Sequence, residues 1–524
     1  MYPIVERRRE NEAGELGSVA RGARRAHRGK ALGVGLLASI ACGCGFDAKW
    51  PQSQREYRPG GAEMLAYRVD GAKKPNYFQK IVDGRVVELC FDANGDGTCD
   101  ETVDRRQDSP DWPHCILVLD GAAYEVMDEL WREGHFRLFP PPTRMISVFP
   151  SLTDLAMTQI FQTPICEGPE ALYFDAAANK MRGGISSYLK GDNAPWLPFM
   201  TYHAPQDIGA WAYLTPQSVF DREMRGTLKT FVEAKSGTVT AYSIGASGLG
   251  TDHGKEAIRK YLLTVEQLCE RVIYDKRGRV KLTLTSDHGH SLQECKRVNF
   301  EQTLKKAGYR DVDRIDGPND VVAPAYGLVT YSAMFAKDVP KLARTMLGDE
   351  AVDLSTYADG ERVVVLSRDG EAAITKSGAG YRYEASQGDP LKLLPIVERL
   401  RAAGKVAADG TIDDRAMFDA TTTHDYPDPL HRLWKCYHDL MKCPPQAAVS
   451  LKPNRCHGSW MFELGIGKCA STHGSLDLPN SSAFVLSDVG DLPKTIRIDD
   501  FQRVITAARE ASLRRQNEMR AAMR

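Results

Sequence analysis

Three segments far apart in the chain carry the donors a hydrolytic metal centre requires: Asp120 in ILVLDGAAYE, Asp287 and His288 in LTLTSDHGH, and His473 in CASTHGSLDLPNSSAF. Carboxylate and imidazole are the hard and borderline ligands that zinc takes from a protein. The chemistry they suit is cleavage of a phosphate ester. The attacking group must approach an anion and the leaving oxygen must take up charge, and divalent cations serve both ends of that displacement. Each residue also has a plain structural reading. A lone Asp at a strand end is usually a cap, an Asp-His pair is often a surface turn, and a His before Gly is commonly structural.

A nucleophile is offered by VFPSLTDLAMTQIF, where Thr153 begins a helix three residues after Pro150. Backbone N–H groups and the helix dipole favour negative charge there. A metal-bound hydroxyl at that point would be a strong alkoxide. Ser151 is the neighbouring candidate, and either residue is more often a helix cap than a nucleophile.

The elements that position these residues follow from periodicity. CILVLD, TVTAYSIGAS and KLTLTS read as buried strands, and both acidic segments lie where such a strand ends, at the sheet edge that binds ligands in open α/β folds. Helical patterns alternate with them: TDLAMTQIFQ, and residues 255–273 with Ile258, Leu262, Val265, Leu268, Val272 and Ile273 on one face. The expected fold is α/β, a three-layer α/β/α sandwich with a mostly parallel central sheet. Residues 112–320 form its first part and 431–510 its second, resuming through the strand at 447–451. Residues 321–430 read as an inserted cap of short strands with Gly turns and one helix, and 511–524 as a polar tail.

A chain of 524 residues, 42% hydrophobic and 26% charged, buries at least one large core. Its formal net charge of −1 offers no nucleic-acid-binding signature. Residues 1–44 run from a basic stretch (Arg21, Arg24, Arg25, Arg28, Lys30) into ALGVGLLASIACGCG, the profile of an export signal. Ser39 to Cys42 is a degenerate lipoprotein cleavage box, so Cys42 is a lipidation candidate that would anchor the chain to a membrane; simple cleavage or an uncleaved anchor are the alternatives. The expected location is exported, periplasmic or membrane-anchored. Ten further cysteines in an oxidising compartment point to disulfides. Cys436, Cys443, Cys456 and Cys469 could instead hold zinc, but the chain lacks a Cys-x-x-Cys pair. In the turn-rich segment 45–111, FDANGDGTCDETVD places Asp92, Asn94, Asp96, Thr98 and Asp100 at calcium-loop spacing with Gly97 at the sharp turn. Val103 replaces the usual bidentate Glu. The expectation is a calcium-stabilised surface loop clamped by a Cys90–Cys99 bridge, with a metal-free acidic turn as the alternative.

Leu-Asp-Gly after a strand, a Pro-Ser-x-Thr turn into a helix, Ser-Asp-His-Gly after a strand and a late Thr-His-Gly-Ser occur here in the order found in the alkaline phosphatase superfamily. The chain resembles its type I phosphodiesterase and nucleotide pyrophosphatase branch over about residues 112–300 and 420–490. The resemblance implies zinc, one or two ions: Asp120, Asp287 and His288 as ligands of one, His473 as a ligand of the other, and Thr153 as the nucleophile. It implies a small-molecule phosphate ester as substrate. The branch completes its second zinc site with an Asp and a His four residues apart; here the corresponding stretch is SGLGTDHGKEA. An ungapped match places Gly248 and Asp252 there, and matching the His places Leu249 opposite the Asp. Asp252 and His253 are the remaining candidates. The Asn that follows the branch's Thr by three residues is Ala156. The Cys/Ser-x-Pro-x-Arg segment of sulfatases is absent. A non-catalytic member acting as a surface binding protein is the rival reading. His424, His431, His438 and His457 read as packing or surface residues, and SIGASGLG lacks dinucleotide-fingerprint spacing.

Overall fold

The structure is a computed structural model that describes residues 45–57 and 63–522. The expected export signal and Cys42 lie outside the described residues. Among those described, no helix is long and apolar enough to cross a membrane.

The elements that carry the site are β1 (His114–Leu119), β2 (Thr143–Ile146), helix α1 (Thr153–Phe161), β3 (Thr238–Ser243), helix α2 (Gly245–Asp275), β4 (Lys281–Thr285), helix α3 (Trp460–Ile466), β5 (Ser482–Ser487) and β6 (Thr495–Arg497). The six strands form one sheet in the order β3-β1-β4-β5-β2-β6. β1 is parallel to β3 and β4, and β2 to β6; β5 alone runs antiparallel to its neighbours. All six residues of β1 are buried. Cys115, Leu117 and Leu119 pack into a core shared with Ile258, Leu262 and Val265 of α2, and Ile116 and Val118 into another shared with Leu155 and Ile160 of α1. A strand buried on both faces must be apolar throughout, which is why it reads as an unbroken run.

The segment expected to be a cap is more integrated than the sequence implies. Its strands join a nine-stranded sheet, one face of which (Tyr331, Phe335, Val363, Val365) enters the same core as α1. Strand Ala447–Leu451 lies in this second sheet, between Tyr331–Ala336 and Val352–Asp359, and not in the central one. Five apolar residues specify a buried strand but not which sheet receives it.

Residues before β1 form a five-stranded antiparallel sheet. The expected loop follows its fourth strand, Arg85–Phe91, and the Cys90–Cys99 disulfide is formed. Asp92 accepts the amides of Gly95 (2.7 Å) and Gly97 (2.8 Å), and Asp100 those of Ala93 (2.6 Å) and Asn94 (3.1 Å). Asp96 accepts the amide of Thr98 at 2.7 Å. The other eight described cysteines are free, and Cys443 is the one not buried.

This sheet meets α2 through a buried polar contact, in which Gln79 Nε2 donates to Glu270 Oε2 at 2.5 Å. Burial, and then the charge of Glu266, push the Glu270 carboxyl up to about 8. Its folded value lies above its unfolded one, so the stability it contributes is complete in acid and is lost as pH rises from about 4.5 through 8. Replacing it by Gln keeps the acceptor and removes the charge. Glu270→Gln is expected to raise stability at pH 8 by roughly 3 kcal/mol, with little effect at pH 4.5. Urea midpoints of variant and wild type at the two pH values check this, and an equal offset at both would contradict it.

Candidate active site

The topology delivers every expected residue of the centre except the Asp252–His253 pair to one edge of the sheet. β1 and β4 are hydrogen-bonded neighbours in parallel register, Val118 opposite Thr285, so Asp120 and Asp287 emerge side by side at their carboxyl ends. β2, with the same sense, leads into the turn before α1 and so to Thr153. β5 runs the other way, and the loop that enters it brings His473 to the same edge.

Asp120, Asp287 and His288 are buried and each offers one ligand atom, the three lying within 4.8 Å of one another; this is the sole such group among the described residues. Thr153 Oγ1 stands beside it, 3.2 Å from His288 Nε2 and 3.4 and 3.5 Å from the two Asp120 oxygens. His288 Nδ1 donates to the Gly289 carbonyl at 3.0 Å, and His473 Nδ1 to the Ser151 carbonyl at 2.8 Å. These bonds set both tautomers and leave each Nε2 lone pair free for a cation. The two rings stack with centroids 3.9 Å apart, so His473 adjoins the group without belonging to it.

Electrostatics point the same way. Burial raises both Asp120 and Asp287 above the usual carboxylate range, and the charge of Asp287 adds to the rise at Asp120. Burial lowers His288 to about 4 and His473 to about 3, which keeps the rings neutral. Asp287 Oδ1 accepts the amides of Gly121 and His288 at 3.0 Å, whereas its buried Oδ2 lacks a hydrogen-bond partner. An orphaned carboxylate oxygen facing a neutral imidazole nitrogen fits a divalent cation, because burying such an atom unpaired is costly.

Asp252 and His253 are placed elsewhere. SGLGTDHG is not a loop: α2 starts at Gly245 and breaks at Gly254 (φ 68°, ψ −150°). Helical geometry turns the two side chains outward, where they pair with each other at 3.4 Å with 31% and 62% exposure. The same break serves the centre. The Thr251 carbonyl, at the end of the first helical stretch, accepts the amides of Ala470 (2.8 Å) and Ser471 (3.4 Å), and so holds the segment that carries His473. The backbone angles at Gly254 are ones that glycine alone adopts freely.

Ser151 is fully buried and its hydroxyl donates to the Val148 carbonyl, which leaves Thr153 as the hydroxyl facing the ligand group. Ala156 is buried within α1. In its place the first-turn amides of α1, which lack intrahelical acceptors, are available to a phosphoryl oxygen. His431 bonds Tyr381, while His438 and His457 stack on Trp434 and Phe300.

Three residues escaped the sequence reading. Tyr242 donates to Asp120 Oδ2 at 2.5 Å. Ser247 also hydrogen-bonds Asp120. His290 is buried with its Nε2 unpartnered, its ring 5.5 Å from that of His473. The second histidine of SDHGH was the available signal for His290; the other two depend on strand neighbours that sequence spacing does not reveal.

Above Thr153 opens a cleft of about 170 Å³, walled by residues of the 185–213 segment, the turn at 326–329 and α3.

By sequence, neither a described family nor a curated protein matches the chain. Among solved structures it is similar to phosphonoacetate hydrolase from Sinorhizobium meliloti 1021 in complex with phosphonoformate, with 11% identity and a TM-score of 0.39 over 76% of this chain and 96% of that one. It is also similar to an inactive variant of murine ectonucleotide pyrophosphatase/phosphodiesterase 5 in complex with AMP, with 10% identity and a TM-score of 0.40 over 76% of this chain and 94% of that one. The human form of the latter gives 10% identity and a TM-score of 0.38 over 74% and 92%.

Elemental analysis after zinc loading and desalting is expected to find one tightly held ion per chain, lost in Asp287→Asn and His288→Ala and retained in Asp252→Ala and His253→Ala. Loss of an ion on changing Asp252 would show instead that the first turns of α2 rearrange around metal.

Proposed function

We propose that the chain is an exported metal-dependent hydrolase of phosphate esters, phosphodiesterase-like, with Thr153 as nucleophile. The observation that carries the reading is the placement of Thr153 Oγ1 within 3.5 Å of Asp120 and His288, at a helix N-terminus and beside a buried carboxylate oxygen lacking a partner. Asp120, Asp287 and His288 would hold zinc, with His473 adjoining. The ion would supply Lewis acidity to the phosphoryl group and lower the pKa of the Thr153 hydroxyl.

The chain's own residues supply the rest. With Asp120 and His288 holding zinc, the Thr153 proton would pass to water in the cleft, and the departing ester oxygen would take a proton from water. The Thr153 oxygen bonds to phosphorus as the ester oxygen departs, leaving a phosphothreonine and an alcohol. Water then cleaves the phosphorus–oxygen bond in-line and regenerates Thr153. The first-turn amides of α1 orient the phosphoryl oxygens, and Tyr242 fixes Asp120 through the bond to its Oδ2. Calcium belongs to the same reading: the oxygens of Asp92, Asn94, Asp96, Thr98 and Asp100 would bind it outside the centre, and a rise in Tm on adding Ca2+, absent in Asp96→Ala, tests that separately.

A second reading, a surface binding protein without turnover, is favoured by the outward placement of Asp252 and His253. Hydrolysis of p-nitrophenyl phosphate mono- and diesters by zinc-loaded protein decides between them. Thr153→Ala is expected to lower kcat at least ~10³-fold. Acid quenching during turnover is expected to trap phosphate on Thr153, seen by peptide mass spectrometry. Zinc-loaded protein that turns over none of these esters would overturn the enzyme reading.

A further inference from the structure

Beyond the centre, the two segments that carry its histidines meet again at a cluster of thiols. Cys295 lies five residues after His290, and Cys469 four residues before His473. Their backbones form an isolated antiparallel bridge, in which the Cys295 amide donates to the Cys469 carbonyl at 2.9 Å. On the other side, Lys296–Arg297 pairs in parallel with Arg455–Cys456, which brings a third cysteine alongside. All three are buried in a small cluster of their own with Leu328, against which Phe462 and Ile466 of α3 pack.

Cys469 is the member the other two share: its side chain is in hydrogen-bonding contact with both Cys295 and Cys456. Among the described residues, Asp120, Asp287 and His288 are the sole group of donors whose ligand atoms all lie within 4.8 Å of one another, so the three sulfurs flank Cys469 and do not form a cage for a metal. Directly opposed residues of an antiparallel pair have Cα atoms about 4.5–5.5 Å apart, within the roughly 4.4–6.8 Å that a disulfide spans. Bonding Cys295 to Cys469 therefore calls for side-chain rotation and leaves the backbone in place.

We infer that this cluster is a site of oxidative modification in the exported protein: Cys295 and Cys469 become a disulfide, and Cys456 is the thiol that takes Cys469 over by exchange. The oxidant is itself a disulfide, of a small thiol or of an oxidoreductase, and it meets the two thiols while the chain folds and before they are buried. The Cys469 thiolate attacks one sulfur of that disulfide and expels the other as a thiolate. The Cys295 thiolate then attacks Cys469 in the mixed disulfide and expels the second, so two protons and two electrons leave the protein and the oxidant becomes two thiols. In the exchange, the Cys456 thiolate attacks the Cys469 sulfur and Cys295 leaves as a thiolate, with no net oxidation. The position of the bond gives it a consequence. Ser471 Oγ lies 3.1 Å from His290 Nδ1 and accepts the Leu292 amide at 2.9 Å, and the Thr472 carbonyl accepts the Ser291 amide at 2.7 Å. A Cys295–Cys469 bond adds a covalent tie to these hydrogen bonds between the His473 segment and the segment after β4. Exchange to Cys456 removes that tie and fastens Cys469 to the chain that leads into α3. Formation of the bond is independent of the phosphate-ester reading; only an effect on turnover would rest on it.

Peptide mapping of the full chain tests this. Reduced, unfolded protein is refolded in a buffer of oxidised and reduced glutathione, and the fraction whose circular dichroism matches protein that was never unfolded is quenched in acid, alkylated and digested without reduction. A Cys295–Cys469 link with Cys456 alkylated is the expected result, and the Cys90–Cys99 link in the same digest shows that the buffer oxidises. Complete Cys90–Cys99 linkage with Cys295 and Cys469 both alkylated would overturn the inference. Cys295→Ser is expected to move the link to Cys456–Cys469, whereas Cys456→Ser is expected to leave Cys295–Cys469 in place. A folded Cys295→Ser chain with Cys456 and Cys469 both alkylated would remove Cys456 as the exchange partner. Hydrogen exchange tells a tie to the centre from a bond without consequence. In Cys456→Ser, oxidation is expected to slow exchange of the 469–473 segment by at least ~10-fold relative to the reduced form, and equal rates would overturn the tie to His473. None of these measurements uses an ester, so their failure is distinct from failure of the hydrolase reading.

Discussion

Like charges buried a few ångströms apart repel, and Asp120 and Asp287 cannot move away from each other, because β1 and β4 are hydrogen-bonded neighbours that end in register. β1 is fixed in turn by cores on both faces of the sheet, and β4 by the core that takes Leu282 and Leu284. The repulsion is relieved by what surrounds the pair: the Tyr242 hydroxyl on Asp120, the amides of Gly121 and His288 on Asp287, and the coordination that remains open at Asp287 Oδ2. A cation at that point would replace repulsion with shared attraction.

The second sheet stands beside the centre and helps to wall its cleft. One of its faces shares a core with α1, so it is fixed relative to Thr153, and the turn before its Tyr331–Ala336 strand contributes Tyr326, Leu328 and Val329 to the cleft. The segment that walls the cleft is thus held in the scaffold by apolar packing and is not a loosely attached cover. The arrangement is spatial: the central sheet presents Asp120, Asp287 and Thr153 at one edge, and the segments packed beside it wall the cleft next to them.

Much of this was legible in the sequence where a local signal coincided with a chemical one. Asp120 and Asp287 follow apolar runs, Thr153 opens a helix after a proline, and Cys90 and Cys99 enclose an Asp- and Gly-rich turn. Legibility failed where a decision belonged to tertiary structure. SGLGTDHG has the glycines of a loop, yet the packing of Gly245 and Gly248 against Phe220 and Ala212 leaves no room for larger side chains and lets the helix begin there, turning Asp252 and His253 outward. Ala447–Leu451 was readable as a strand and unreadable as to sheet. Tyr242 and Ser247 matter through Asp120, which is distant in sequence, and no spacing rule reaches them.

The break at Gly254 ties these levels together. It ends the first stretch of α2 and accompanies a Thr251 carbonyl that holds the strand-like segment before His473, and a side chain added there would already touch Ala470. A position that contributes no atom to the ligand group therefore governs where the histidine beside that group stands. In any survey of variants scored by activity alone, position 254 would sort with the ligands, and a reader of such a survey would assign chemistry to a residue whose whole contribution is a pair of backbone angles.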